Sequence, residues 1–145
     1  MKPRFLGRRL AMQYLFMLEV SGTDGACGMD EFLTLQKEAE IDAGADFAGK
    51  EGVKWEEAAA FAGRLAQEAL ASLSALDARI AEALKNWDLA RVATVEKCVL
   101  RLAMAELAMG ETPLPAVADE MVRLARLFGG PDSASFVNGV LMGMQ

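Results

Sequence analysis

Apolar residues recur along most of this chain at three- and four-residue steps, the spacing of one face of an α-helix. Leu6, Leu10, Tyr14, Met17 and Leu18 form the first such stripe and predict a helix from about Arg4 to Val20. Ser21, Gly22 and Gly25 end it. Residues 21–54 are acidic, Gly-rich and weakly periodic. Within them MDEFLTLQKEAEI predicts a helix starting near Asp30, and AGADFAGKEG reads as a loop. This segment is expected to be the most mobile part of the molecule and to be dispensable for folding.

From Trp55 the pattern is strong again. Phe61, Leu65 and Ala69 mark one helix, and Leu73, Leu76, Ile80, Leu84 and Trp87 mark the next, with a break near Ser72 or Ser74. Asn86, Trp87 and Asp88 form a junction. Val95, Val99, Leu102 and Leu107 mark a further helix that stops at Gly110. Thr112 is the expected cap of the following helix, and Pro113 suits its first turn, where no amide donor is needed. Val117, Met121, Leu124 and Leu127 carry its apolar face. Gly129, Gly130 and Pro131 stop it, and Asp132 or Ser133 caps a short last helix facing inward through Val137, Leu141 and Met144. No segment alternates polar and apolar residues for long. The expected object is all-α, about seven helices in a compact bundle or a pair of small bundles, within a single domain spanning 1–145.

Composition agrees with helix. Of 145 residues 53% are hydrophobic and 25% charged, enough for one domain with a real core. No run reaches the ~18 apolar residues of a membrane span, and the N-terminus has no signal-peptide pattern, so a cytoplasmic protein is expected. Cys27 and Cys98 do not have the spacing of a zinc site. A reduced pair is the favoured reading, and a disulfide between them stays open.

The net charge of −6 argues against a nucleic-acid partner until its distribution is considered. Residues 1–20 carry Lys2, Arg4, Arg8 and Arg9 against Glu19 alone, a balance of +3. Residues 21–60 hold ten acids against three lysines, a balance of −7. Acidity is concentrated in one segment, and the start of the chain is basic. Arg4 and Arg8 lie four apart, as do Arg9 and Gln13 on the adjacent ridge, so the first helix has a basic side.

Catalytic constellations are missing. The chain has no histidine, which removes the commonest general base and metal ligand, and no GxGxxG, GxxxxGK[ST], HExxH or GxSxG. No enzyme activity, metal or cofactor is expected. Three features exceed a plain bundle. The basic arm Lys2–Arg9 reads either as a solvated helix start or as a phosphate-binding face. In residues 84–107 charges punctuate an apolar pattern, and Glu106 falls near the buried side, where an arginine is its expected partner. Residues 128–141 combine a tight turn, a helix start, Phe136 and Asn138.

RRLAMQYLFMLE (8–19), LKNWDLARVATVEKCVLRLAMAEL (84–107) and TPLPAVADEMVRLARLFGGPDSASFVNGVL (112–141), in this order and at these distances, together resemble the NusB family. The resemblance covers the first helix and nearly everything after Trp55, and fades over 21–54. It implies an all-α fold of two three-helix bundles plus an extra helix. It also implies a transcription antitermination adaptor that binds boxA RNA. The implied partners are NusE, which doubles as a small-subunit ribosomal protein, and the RNA polymerase antitermination complex. No covalent chemistry is implied, and the chain is expected to be a monomer or homodimer.

Carried onto this sequence, the resemblance makes Lys2, Arg4, Arg8 and Arg9 phosphate contacts, with Gln13 one turn on. It places Glu96, Asp132 and Ser133 near the RNA-facing side. Phe136 then either stacks on an unpaired base or packs in the core. Family members often carry a denser arginine run, and a lysine where this chain has Ser135. Each difference removes a phosphate contact. The competing reading is therefore a NusB-like protein–protein interaction module with little RNA affinity of its own. A third use of the fold, as the front of an RNA methyltransferase, needs a catalytic domain for which this chain has no room.

Overall fold

Pro3 opens the first helix, α1 (Pro3–Ser21), at a position where its missing amide donor costs nothing. The computed structural model describes residues 2–22, 27–45, 54–85 and 88–144. Among these, α2 (Met29–Asp42), α3 (Trp55–Ala71), α4 (Leu73–Leu84), α5 (Thr94–Met109) and α6 (Leu114–Met142) follow, with a short 3-10 helix at Leu89–Arg91. Inside α6, Gly130 adopts φ 87° and ψ −174°, which no helix accommodates and which only glycine enters without strain. The expected stop at Gly129–Gly130 is therefore real, and α6 is two helical runs joined at a sharp kink. Counting both, the observed helices match the expected set closely. Trp87, Gly25 and most of the expected loop at 43–52 lie outside the described residues.

The chain gathers into two compact units, Met1–Ala66 and Gln67–Gln145. In the first, Leu6 and Leu10 of α1 and Leu65 of α3 are fully buried, together with Phe5, Tyr14, Trp55 and Phe61. The helix expected near Asp30 is α2. It is not the loosely attached element that its poor periodicity suggested: Phe32 is buried, and its ring lies 5.2 Å from that of Tyr14. The Tyr14 hydroxyl donates to the Cys27 carbonyl at 3.1 Å just before α2 begins. Burial first, and the nearby Cys27 second, push the Tyr14 phenol above its ordinary value of 10.0.

The second unit is built on α5. Residues 98–100 and 102–106 are all buried, so this helix has almost no solvent face, as a helix at the centre of a bundle requires. The one break in that buried run, Arg101, forks onto Asp77 of α4, with Nε donating to Oδ1 at 2.8 Å and Nη2 to Oδ2 at 2.9 Å. A bidentate pair satisfies both groups where neither is well solvated. Glu106 is 1% exposed, deeper than its sequence position suggested. The core is completed by Leu76, Ile80, Val117, Met121, Leu124, Val137 and Leu141. Two details of α6 differ from expectation. Pro113, not Thr112, is the cap residue of α6, and no side chain caps it. Leu127, expected on the apolar face, is 58% exposed. Asp88 caps the 3-10 helix by accepting from the Ala90 amide at 3.1 Å. Cys27 and Cys98 are free thiols. No helix among the described residues is long and apolar enough to cross a membrane.

Candidate nucleic-acid interface

The basic arm is organised by a glycine. Gly7 sits in α1 between Arg4 and Arg8, and a Cβ there would stand 2.8 Å from the Ala58 carbonyl oxygen and 2.9 Å from Cδ2 of Phe61. Only a residue without a side chain lets α1 press this closely on α3. The close approach brings the flanking arginines onto the Phe61 ring. The guanidinium carbon of Arg4 lies 4.6 Å from the ring centroid and that of Arg8 5.4 Å. Arg64, on α3 itself and one turn after Phe61, adds a third at 5.7 Å. The negative face of an aromatic ring attracts such cations and holds them in place.

The expected site residues of the first unit therefore do not share one environment. Lys2 and Arg4 are exposed. Arg8 is 5% exposed, drawn under the surface beside Phe61. Arg9 is ion-paired with Glu40 of α2 and is half-buried, as is Gln13. Among the described residues Arg9 Nε and Gln13 Oε1, one turn apart, are buried without a hydrogen-bond partner. The basic side of α1 is thus narrower than its spacing implied, because two of its arginines are occupied by contacts that no local pattern reveals.

In the second unit, Glu96 is half-buried in the first turn of α5, where negative charge suits the helix dipole. Just past the Gly130 kink, Asp132 and Ser135 are exposed and Phe136 is half-buried. Ser133 is 8% exposed and packs against Gly129, so close that a Cβ on Gly129 would stand 2.4 Å from the Ser133 Oγ. Neither Asp132 nor Ser133 is seen capping the run that follows. Sequence reading missed two features. Arg64 escaped because it falls in an alanine-rich stretch, although its i, i+3 spacing from Phe61 was a usable signal. Phe128, 37% exposed beside the kink, was the other.

The described residues thus define an all-helical protein, with an arginine cluster around one aromatic ring in its first unit and a glycine-kinked last helix in its second. The model of the NusB family matches residues 7–145, and the chain belongs to that family. The transcription antitermination protein NusB of Symbiobacterium thermophilum is 36% identical over 135 residues, 92% of this chain and 83% of its own. That of Citrifermentans bemidjiense is 45% identical over 83 residues, so the match spans only 57% of either chain. Among solved structures, the solution structure of NusB from Aquifex aeolicus superposes with a TM-score of 0.73 at 25% identity, covering 99% of this chain and 88% of that one. NusB in a crystal structure with NusE and double-stranded RNA gives 0.74 at 24% identity, covering 98% and 95%, a likeness of fold.

Proposed function

We propose that this chain is a transcription antitermination adaptor that binds boxA RNA together with NusE and joins the RNA polymerase antitermination complex in the cytoplasm. It acts by binding alone, without covalent chemistry or cofactor. The observation that supports this reading most directly is the gathering of Arg4, Arg8 and Arg64 around Phe61 in a member of the NusB family. Its relatives carry the name transcription antitermination protein, and NusB has been crystallised with NusE and double-stranded RNA. Phosphate contacts of this kind give sequence-independent, salt-sensitive affinity, and past the kink the half-buried Phe136 beside exposed Asp132 and Ser135 offers a surface for unpaired bases.

A second reading has its own observation. Arg9 is occupied by Glu40 and Arg8 is buried, which leaves few exposed cations on α1 for RNA alone. A NusB-like module working mainly through protein contact would look the same. NusE separates the two. Two weak contacts on one RNA reinforce each other without any new contact on either. Labelled boxA RNA titrated into the single protein and into the equimolar pair, at one salt concentration, is expected to bind the pair at least ten times more tightly, about 1.4 kcal/mol. Coincident curves, with a pull-down showing that the two proteins associate, would leave the protein-only module as the better account.

A further inference from the structure

We propose that the outward face of α2 docks a basic, amphipathic segment of a partner protein. This goes beyond the RNA-binding reading and stands apart from it, on a different helix and for a different class of partner. Phe32, Lys37 and Glu40 define the inward side of α2. Phe32 is buried beside the Tyr14 ring, Glu40 pairs with Arg9, and Lys37 reaches Glu56 of α3 at 3.9 Å. The opposite side has no such anchors. Glu31, Leu35, Glu38 and Asp42 follow one another at steps of four, three and four, the spacing of a single helix face, and Ile41 lies on its edge. All five are exposed, Leu35 at 53% and Ile41 at 48%.

Charge singles this face out, since scattered exposed aliphatic residues are ordinary. Of the five acids in α2 only Glu40 is ion-paired among the described residues, which leaves Asp30, Glu31, Glu38 and Asp42 exposed with no cation against them. The helix dipole favours Asp30 and Glu31, which lie in the first turn. It opposes Asp42 in the last turn, where there is no basic residue, and Glu38 lies too far from the first turn to gain from it. The fold therefore leaves these two charges uncompensated, and a cationic partner compensates them. The same charges repel an RNA backbone and would set a second copy of the chain against itself. Among the described residues no group of acids could hold a metal ion. What is complementary is a polypeptide with lysines or arginines flanking an apolar stripe of its own, seated on Leu35 and Ile41. Burial of the aliphatic pair supplies affinity, and the surrounding carboxylates steer the encounter and set its register.

The test titrates the full chain with a synthetic helical peptide of lysine and leucine, its leucines at three- and four-residue steps. A scrambled peptide of the same composition keeps the charge and loses the stripe. Affinity is measured across a salt series, and amide chemical shifts of isotope-labelled protein locate the contact. The ordered peptide is expected to bind at least about five times more tightly than the scrambled one and to shift resonances of α2. Leu35→Ala combined with Ile41→Ala should weaken it about tenfold. Glu31→Gln, Glu38→Gln and Asp42→Asn together should weaken it at low salt and flatten its salt dependence. Melting temperatures should stay close to the parent, because every altered side chain is exposed, and the comparison of the two peptides on the parent needs no variant at all. Equal binding of the two peptides, shifts that fall outside α2, or an alanine variant that binds as tightly as the parent each overturns the proposal while the RNA reading stands. Two further results overturn it in favour of another occupant. BoxA RNA bound less tightly by the alanine variant assigns the face to RNA, and a parent dimer that the same variant dissociates assigns it to a second copy.

Discussion

Replacing Gly7 with alanine separates two effects that usually act together. In a helix interior, alanine is favoured over glycine by about 1 kcal/mol through backbone entropy, so Gly7→Ala taken alone should stabilise the protein. The surroundings reverse the sign. The new Cβ would meet the Ala58 carbonyl oxygen at 2.8 Å and Phe61 Cδ2 at 2.9 Å. A backbone oxygen in a packed helix cannot swing away, and Phe61 is 4% exposed. Inserting a methyl group into such a contact costs about 1–3 kcal/mol. The expected net effect is a loss of up to about 2 kcal/mol, which for a chain of this size lowers Tm by up to about 6 °C. Gly63→Ala is the matched control: it also lies within a helix, but its Cβ would meet nothing within 4 Å. It should gain up to about 1 kcal/mol and raise Tm. Helical circular dichroism followed through thermal melts reads both variants. A Gly7→Ala protein that melts above the parent, as Gly63→Ala should, would refute the close approach of α1 to α3. Agreement would carry a second consequence, because pushing the helices apart also moves Arg4 and Arg8 off Phe61.

Glu40→Gln should release Arg9 from its ion pair and strengthen single-stranded RNA binding by roughly three- to fivefold at 0.1 M salt, the worth of one phosphate contact; unchanged affinity would make Arg9 a strut between α1 and α2. Tyr14 is the chain's one tyrosine, so absorbance near 295 nm titrates it alone. Its midpoint should lie above 10.0 in the folded protein, through burial first and Cys27 second, and near 10 in urea. Because the unfolded chain then gives up the proton first, folding stability is fully present below about pH 10 and falls as pH rises beyond it. A native midpoint at 10 would mean that the phenol is solvated.

Where a helix has one apolar face, its sequence told the truth about its place. The stripes on α1, α3 and α4 and the stop at Gly110 stand where periodicity and helix-breaking residues put them. The kink at Gly130 was legible because glycine followed by proline leaves a helix little choice. Burial without periodicity was harder to read. The stripe Val95, Val99, Leu102 and Leu107 suggested a one-sided helix, yet α5 is enclosed from 98 to 106 apart from Arg101, and helical spacing cannot separate those cases. Likewise α2 seemed an appendage because its polar surface hides a single buried anchor, Phe32. At the candidate site, the arginines could be named from spacing, but not their surroundings. Arg8 is buried and Arg9 is paired because of residues 53 and 31 positions away, Phe61 and Glu40, and contacts of that range leave no trace in a local pattern. Ser133, expected near RNA, is tucked against Gly129 for a reason visible only once the kink is formed.

The enclosure of α5 bears on how such a chain can change over generations. A surface helix has positions that can drift freely among polar residues. Most of α5 has none: nearly every substitution between 98 and 106 alters a packed volume or strands a buried charge at Glu106. Variation in this stretch is held to swaps of similar size, and even those must be matched by compensating changes in helices far away in sequence. Exposed positions are under no such restraint. Lys2, Asp132 and Ser135, for example, are exposed and can be exchanged without opening a packed core. One part of the fold thus serves as a slow clock, and the exposed positions are left free to run faster.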